Sequence, residues 1–269
     1  MIYKDPRDQV IDDDAIKALI DAYGERVTSL PPVAIVIAAY NEAGAIGPVV
    51  EALHAEVCGL ATATIVVADG CADSTAAEAA EAGAMVCDVP VNRGQGAALR
   101  LGYRIAREGD AAYIVITDAD GQYNPAEMRA VLAPVVAGEA DFVTGSRVLG
   151  AAHTTDRTRR LGVTVFAGVI SVLTGQRITD PANGLRAMRA EVAGAVELRQ
   201  PQYQASELLI SAMARGFRVA EVPTTMRERA AGRTKKGRNL LYGARFGRVV
   251  VSTWWRERRR SGPAKTTSS

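Results

Sequence analysis

Tyr113-Ile114-Val115-Ile116-Thr117-Asp118-Ala119-Asp120-Gly121-Gln122 is the stretch whose reading decides the fold. The β-branched and aromatic run from Tyr113 to Ile116 predicts a buried strand. Open α/β sheets place their ligands at the carboxyl ends of such strands. There, Asp118 and Asp120 stand at i and i+2 beside Gly121, with the Gln122 amide two residues on. Both carboxylates can turn toward one hard cation, which prefers oxygen ligands. A site of this kind holds a second anion, most often a diphosphate. A solvated turn after a strand looks the same, so the motif gains meaning only from its surroundings.

Those surroundings alternate. Val33 to Ala38 predicts a strand after the Pro31-Pro32 break, Gly44 to Val57 a helix, and Thr64 to Ala68 a second strand. A helix opens near Asp73-Ser74-Thr75, good helix-starting chemistry. Met85 to Val89 predicts the third strand and Gly96 to Arg107 the third helix. After the Asp118 strand come a helix opening at Pro125 and a strand from Asp141 to Thr144. Strands alternating with helices predict an α/β fold with a mostly parallel central sheet flanked by helices. Residues 1–30 form an N-terminal helical arm, 31–226 the main domain, 227–260 a basic amphipathic segment, and 261–269 a disordered tail. No internal repeat is present, and the alternation weakens after Gly150.

With 269 residues, 48% hydrophobic and 23% charged, the chain can fill and cover one large α/β domain with additions. Cys58, Cys71 and Cys87 are widely spaced and odd in number, which predicts a reducing, cytoplasmic setting without disulfides. The acidic N-terminus (Asp5, Asp8, Asp12 to Asp14) does not read as a signal peptide. No uncharged apolar stretch reaches the roughly 20 residues that span a bilayer. The net charge of +2 is unevenly spread: twelve Lys or Arg against Glu228 and Glu257 give residues 227–260 a charge of +10, and residues 1–226 carry −9. An acidic body with a basic end predicts that the end meets an anionic surface, either lipid headgroups or nucleic acid.

Polar residues gather after every early strand: Ala39-Tyr40-Asn41-Glu42, Asp69-Gly70-Cys71-Ala72-Asp73-Ser74-Thr75, Asn92-Arg93-Gly94-Gln95-Gly96-Ala97-Ala98 and Asp118-Ala119-Asp120. A nucleotide crevice requires this. Tyr40 offers an apolar face to a base or ribose, and Glu42 and Asp69 accept from their hydrogens. Asn41 reads as a brace for its loop. Gly94 and Gly96 allow backbone to approach a ligand at a helix start. The spacing is neither Gly-x-Gly-x-x-Gly nor a Gly-Lys-Ser/Thr loop, which disfavours nicotinamide enzymes and P-loop NTPases.

These blocks, with Gly145-Ser146-Arg147 following in order, resemble the inverting family 2 glycosyltransferases of the GT-A fold. Asp180-Pro181-Ala182-Asn183-Gly184-Leu185-Arg186, Glu221-Val222-Pro223 and Arg229 to Lys235 narrow the likeness to dolichol-phosphate mannose and polyprenyl-phosphate glucose synthases. It covers about residues 33–240. The resemblance implies a nucleotide-sugar donor held by Ala39, Tyr40, Glu42, Asp69, Gly94, Gln95, Asp118, Ala119 and Asp120. It further implies Mg2+ or Mn2+ at Asp118, Asp120 and Gln122, and Asp120 in the catalytic centre. Two positions depart from the family pattern: Ala68 stands where an aspartate is common, and Gln95 where a lysine is. UDP and GDP donors, and the sugar itself, therefore stay open.

The acceptor side has two readings. A lipid phosphate is already an anionic nucleophile, and then Arg147, Arg159, Arg160, Arg229 and Lys235 are candidates to hold it. A sugar or metabolite hydroxyl needs a base, for which Asp180 is the candidate; its alternative role is to cap the turn at Pro181. The apolar segment Leu161 to Leu173 reads equally as a core helix or as an interfacial helix sheltering a prenyl chain. Trp254 and Trp255 among arginines suit a headgroup boundary or a helix packed on the body. These readings point to an enzyme peripheral on the cytoplasmic face of a membrane rather than to a nucleic-acid partner, because no aromatics are spread across a sheet for stacking. The oligomeric state is not legible in the sequence.

Overall fold

A computed structural model describes residues 6–152, 157–200, 202–227 and 239–260; of residues 152, 157–161, 239–242 and 244 the backbone alone is described. The chain opens with α1 (Pro6–Tyr23) and α2 (Glu25–Thr28). It continues as β1 (Val33–Ala39), α3 (Ile46–Glu51), β2 (Glu56–Val57), β3 (Leu60–Asp69), α4 (Thr75–Glu81), β4 (Met85–Val89), α5 (Gln95–Glu108) and β5 (Tyr113–Asp118). A 3-10 turn at Pro125–Glu127 leads into α6 (Met128–Val136). Then come β6 (Phe142–Ala152), α7 (Arg157–Thr174), β7 (Arg186–Arg189), α8 (Ala190–Ala195), α9 (Gln204–Ala214), β8 (Val219–Met226) and α10 (Asn239–Arg260).

The strands form one sheet of two halves. β4, β3, β1 and β5 are parallel neighbours, as the alternating pattern predicts. β7 then pairs antiparallel with both β5 and β6, and β8 runs parallel to β6. From β1 the chain winds outward to β3 and β4, then returns to place β5 on the other side of β1. That reversal opens a crevice at the carboxyl ends of β1 and β5, where the polar loops collect.

Each of the central strands is buried on both faces. Ala34 and Val36 of β1 join Ile65, Val67, Ile114 and Ile116 under α1, α5, α9 and α10. Val33, Ile35 and Ile37 join Val66 and Val115 under α3 and α6. This alternation is the period of two of a strand. The N-terminal arm belongs to the first of these cores: Ala15, Ile16, Leu19, Val27 and Leu30 are buried in it. The arm is therefore part of the main body.

Between β1 and β3 the structure departs from expectation. The helix ends at Glu51, and Glu56–Val57 pair antiparallel with Leu60–Ala61 across a two-residue turn. Cys58 and Gly59 both have positive φ, 57° and 77°. Both central residues of a primed hairpin turn must lie there. Cys-Gly is an uncommon pair for it, which is why Val57 reads as helical in the sequence. The Asp141–Thr144 strand is longer than expected, continuing to Ala152 beside β8 through a register shift after Ser146.

Candidate active site

A cleft of about 660 Å³ opens at the switch point. Ala39, Tyr40, Glu42, Asp69, Gly94, Gln95, Asp118, Ala119, Asp120 and Gln122 all line it. Every donor and metal residue expected from the sequence therefore lies on one surface. Asn41, held at φ 50°, accepts from the Ala72 amide at 2.8 Å and so ties the β1 loop to the β3 loop.

Asp69 ends β3 and is buried. Its Oδ2 accepts the backbone N–H groups of Arg93 (2.8 Å) and Gly94 (2.7 Å), and its Oδ1 has no hydrogen-bond partner among the described residues. Burial pushes the Asp69 carboxyl above the usual range, against the pull of those two amides. The Arg93 Nε stays 3.8 Å from Asp69 Oδ1, while Arg93 Nη2 lies 2.7 Å from Asp12, a buried carboxylate of α1. Gly94, at φ 92°, then starts α5, whose first turn faces the cleft through Gln95 and Ala98. A helix start of this kind favours phosphate.

Asp118 lies against the backbone of Gly184: a Cβ there would come within 2.3 Å of Asp118 Oδ2, so a larger residue would push the carboxylate aside. Gln95 Nε2 approaches Asp118 Oδ1 at 3.5 Å. Asp120 is buried and accepts from the Gln122 amide at 3.2 Å. The Gln122 side chain donates to the Arg227 carbonyl at 3.0 Å, which fixes it at the cleft wall. Two carboxylates and a carboxamide match a hard divalent ion. Among the described residues no group of three or more His, Cys, Asp or Glu could hold a metal. An ion here would thus complete its shell from a ligand's phosphates and water.

Arg147 and Asp180 come together, but as a closed pair outside the cleft lining. Arg147 Nε and Nη2 each lie 2.6 Å from an Asp180 oxygen, and the Arg147 amide adds a third bond at 3.1 Å. Burial would raise the Asp180 carboxyl, but the guanidinium outweighs it and holds it below the usual range. The same pairing raises Arg147 against its own burial. Glu221 fastens the loop from below, accepting the amides of Thr179 (2.7 Å) and Asp180 (2.8 Å). A carboxylate so held has its oxygens engaged by Arg147, and the Arg147 guanidinium keeps Nη1 off that pair, 3.2 Å from the Met226 sulfur. Arg159 and Arg160 lie in α7, but their side chains are outside the described residues, as are Arg229, Lys235 and the 261–269 tail.

Arg186, Tyr203, Gln204 and Arg245, which the sequence did not single out as site residues, are among the further residues that line the cleft. Tyr203 takes φ 62° as it enters α9 and packs edge-on against Phe246 of α10, centroids 5.4 Å apart. A second opening of about 720 Å³ shares Gln202, Tyr203 and Arg245 with the first and is lined by Arg199, Arg248 and Arg256. Arg256 is bound to Glu207 and Glu257, and Arg199 to Glu197.

On α7 and α10, one set of side chains packs on the body and another is exposed. Phe166 and Ile170 of α7 pack inward, while Val165, Val169 and Val172 are exposed, Val172 at 85%. On α10, Trp254 donates to the Leu173 carbonyl at 2.6 Å, whereas Trp255 is exposed with Arg259 stacked over it. No helix among the described residues is long and apolar enough to cross a membrane.

Residues 34–196 match the family described as Glycosyl transferase family 2. The chain is 33% identical over 232 residues to a dolichyl-phosphate hexose transferase of Haloferax volcanii, a match covering 84% of this chain and 96% of that one. It is 32% identical over 232 residues to the polyprenol monophosphomannose synthase of Mycolicibacterium smegmatis, covering 82% and 85%. Among solved structures, glucosyl-3-phosphoglycerate synthase of Mycobacterium tuberculosis in complex with Mn2+, uridine diphosphate and glucosyl-3-phosphoglycerate aligns with a TM-score of 0.65. That match has 22% identity and covers 89% of this chain and 83% of that one.

Proposed function

The chain belongs to glycosyltransferase family 2, with a GT-A fold and hexosyltransferase activity; on that premise, we propose that it moves one hexose, with inversion, from a nucleotide sugar to a polyprenyl phosphate at a membrane surface. The observation that carries this reading is the continuity of a carboxylate-lined cleft with an arginine-lined opening beside two helices that expose valines and a tryptophan. The lipid-phosphate substrates named for the Haloferax and Mycolicibacterium relatives support it.

In this reading the base and ribose lie over Tyr40, with Glu42 and Asp69 accepting their hydrogens. The diphosphate faces the start of α5 at Gly94 and Gln95. Asp118, Asp120 and Gln122 would hold Mg2+ or Mn2+, which stabilises the charge that develops on the leaving diphosphate. Both ions accompany uridine diphosphate in solved structures of the mycobacterial synthase. An oxygen of the acceptor phosphate attacks the anomeric carbon as the bond to the diphosphate breaks, and the nucleoside diphosphate departs. The attacking oxygen is already ionised at neutral pH, so no protein base takes a proton. This fits a structure in which Asp180 lies outside the cleft lining and is paired with Arg147. The exposed faces of α7 and α10, Val165, Val169, Val172, Val251 and Trp255, would rest at the headgroup boundary.

Asp120→Ala tests the centre. Transfer from UDP-glucose or GDP-mannose to undecaprenyl phosphate is expected to fall at least about 100-fold with the fold intact; full metal-dependent transfer by this variant would sink the assignment. Co-sedimentation with anionic vesicles tests the surface, and no binding to them would remove the membrane.

A further inference from the structure

Arg186 is the first residue of β7 and is 4% exposed in a cleft wall. Its Nε and Nη1 are buried without a hydrogen-bond partner among the described residues, and no carboxylate there forms an ion pair with it. Beside it Gln204, also buried, donates to the Tyr103 hydroxyl at 3.1 Å and leaves its own Oε1 without a partner. A buried guanidinium without a counter-charge is costly and persists where an anion completes it. Arg186 thus differs from Arg147, whose guanidinium is already sealed onto the Asp180 carboxylate.

We propose that Arg186, with Gln204 and Arg245 lining the same cleft, is a phosphate subsite that takes the phosphate monoester of the acceptor. The assignment rests on the transferase reading above and adds to it the residue that receives the nucleophile. Three features place it on the acceptor side. The donor diphosphate already has the start of α5 and the Asp118-Asp120-Gln122 cluster. Arg186 lines the cleft together with Gln204 and Arg245, and Arg245 also lines the arginine-rich opening that shares Gln202 and Tyr203 with the cleft. Finally, Arg186 is paired in register with Ile116, two residues before Asp118. Two residues of strand span about 7 Å, so Arg186 enters the sheet close to the Asp118 end of β5. A planar fork with several donors suits a phosphate better than a lysine would.

The test uses the full chain with Mn2+ and whichever of UDP-glucose or GDP-mannose it turns over. Arg186→Met is expected to raise the KM for undecaprenyl phosphate at least about tenfold and leave the Kd for Mn2+ with the matching nucleoside diphosphate within about twofold. Inorganic phosphate should raise the Tm of the wild type and not that of Arg186→Met, whose own Tm should be no lower. Arg186→Lys should recover part of the KM, and Arg186→Gln replaces Met if that variant does not fold. An unchanged acceptor KM, an equal loss of nucleotide affinity, or equal protection of Arg186→Met by phosphate would each overturn the assignment. A parallel arm offers 3-phosphoglycerate. If only this soluble ester is glycosylated, with the same dependence on Arg186, the subsite stands and the lipid acceptor falls.

Discussion

Asp69, at the end of β3, and Asp180, in the loop before β7, are both buried aspartates with an arginine nearby, yet the arginines meet them differently. Arg147 closes on Asp180 with two bonds of 2.6 Å. Arg93 stops 3.8 Å short of Asp69, because Asp12 of the N-terminal arm draws its Nη2 to 2.7 Å. The closed pair satisfies itself and braces a loop. The open one leaves a buried carboxylate oxygen without a hydrogen-bond partner among the described residues. The same contrast recurs in α10, where Trp254 is hydrogen-bonded to the body and Trp255 is exposed. Adjacent or identical residue types thus differ in whether the fold itself fastens them.

The sharpest way to break this contrast is Arg147→Ala. It strands a buried carboxylate and is expected to cost about 3–5 kcal/mol of stability, read by thermal or denaturant unfolding. Asp69→Asn should cost little stability but weaken binding of the matching nucleoside diphosphate about 10- to 100-fold by calorimetry, the loss of a charge-assisted bond worth about 1.5–3 kcal/mol. If Asp69→Asn unfolds the protein as readily as Arg147→Ala, the two pairs are alike and the contrast fails.

Carboxyl titration by NMR sharpens it without mutation. Asp180, held below the usual range by Arg147, contributes stability that is fully present above about pH 4, the unfolded value, and fades as pH falls through its folded value. Asp69 runs the other way: its raised folded value means that the ionised form costs stability, and acidification relieves that cost while removing the acceptor. Asp69 should therefore protonate at higher pH than Asp180, and the reverse order would contradict the geometry. The smallest effects lie in α10. Trp254→Phe is expected to cost about 1 kcal/mol for its lost bond. Trp255→Ala should change stability by less than about 0.5 kcal/mol while reducing vesicle co-sedimentation.

The donor half was legible because its signals are local. The strands Val33–Ala39, Met85–Val89 and Tyr113–Asp118 are rich in β-branched and other apolar residues, and the cleft residues follow each within a few positions. The hairpin at Cys58-Gly59 escaped because its turn conformation is carried by backbone sign, not composition. Arg186 escaped for a different reason. It stands in the quoted Asp180–Arg186 block, and an arginine opening the otherwise apolar Leu185-Arg186-Ala187-Met188 run was the available signal, but nothing in the run says whether a counter-charge waits for it.

By itself the sequence determined the α/β alternation, the edge of the sheet at which chemistry collects, and the oxygen ligands of a candidate metal site. Periodicity and the spacing of motifs act over a few residues, so they can be read along the chain. The tertiary structure alone decided which charges are spent and which remain. Arg147 meets Asp180 across 33 positions of sequence, and the Arg93 side chain reaches back 85 positions to the Asp8 carbonyl beside its contact with Asp12. Arg186 is enclosed with no such partner among the described residues. Pairing of buried charges depends on distances of a few ångströms between segments remote in sequence, and only the folded chain sets them.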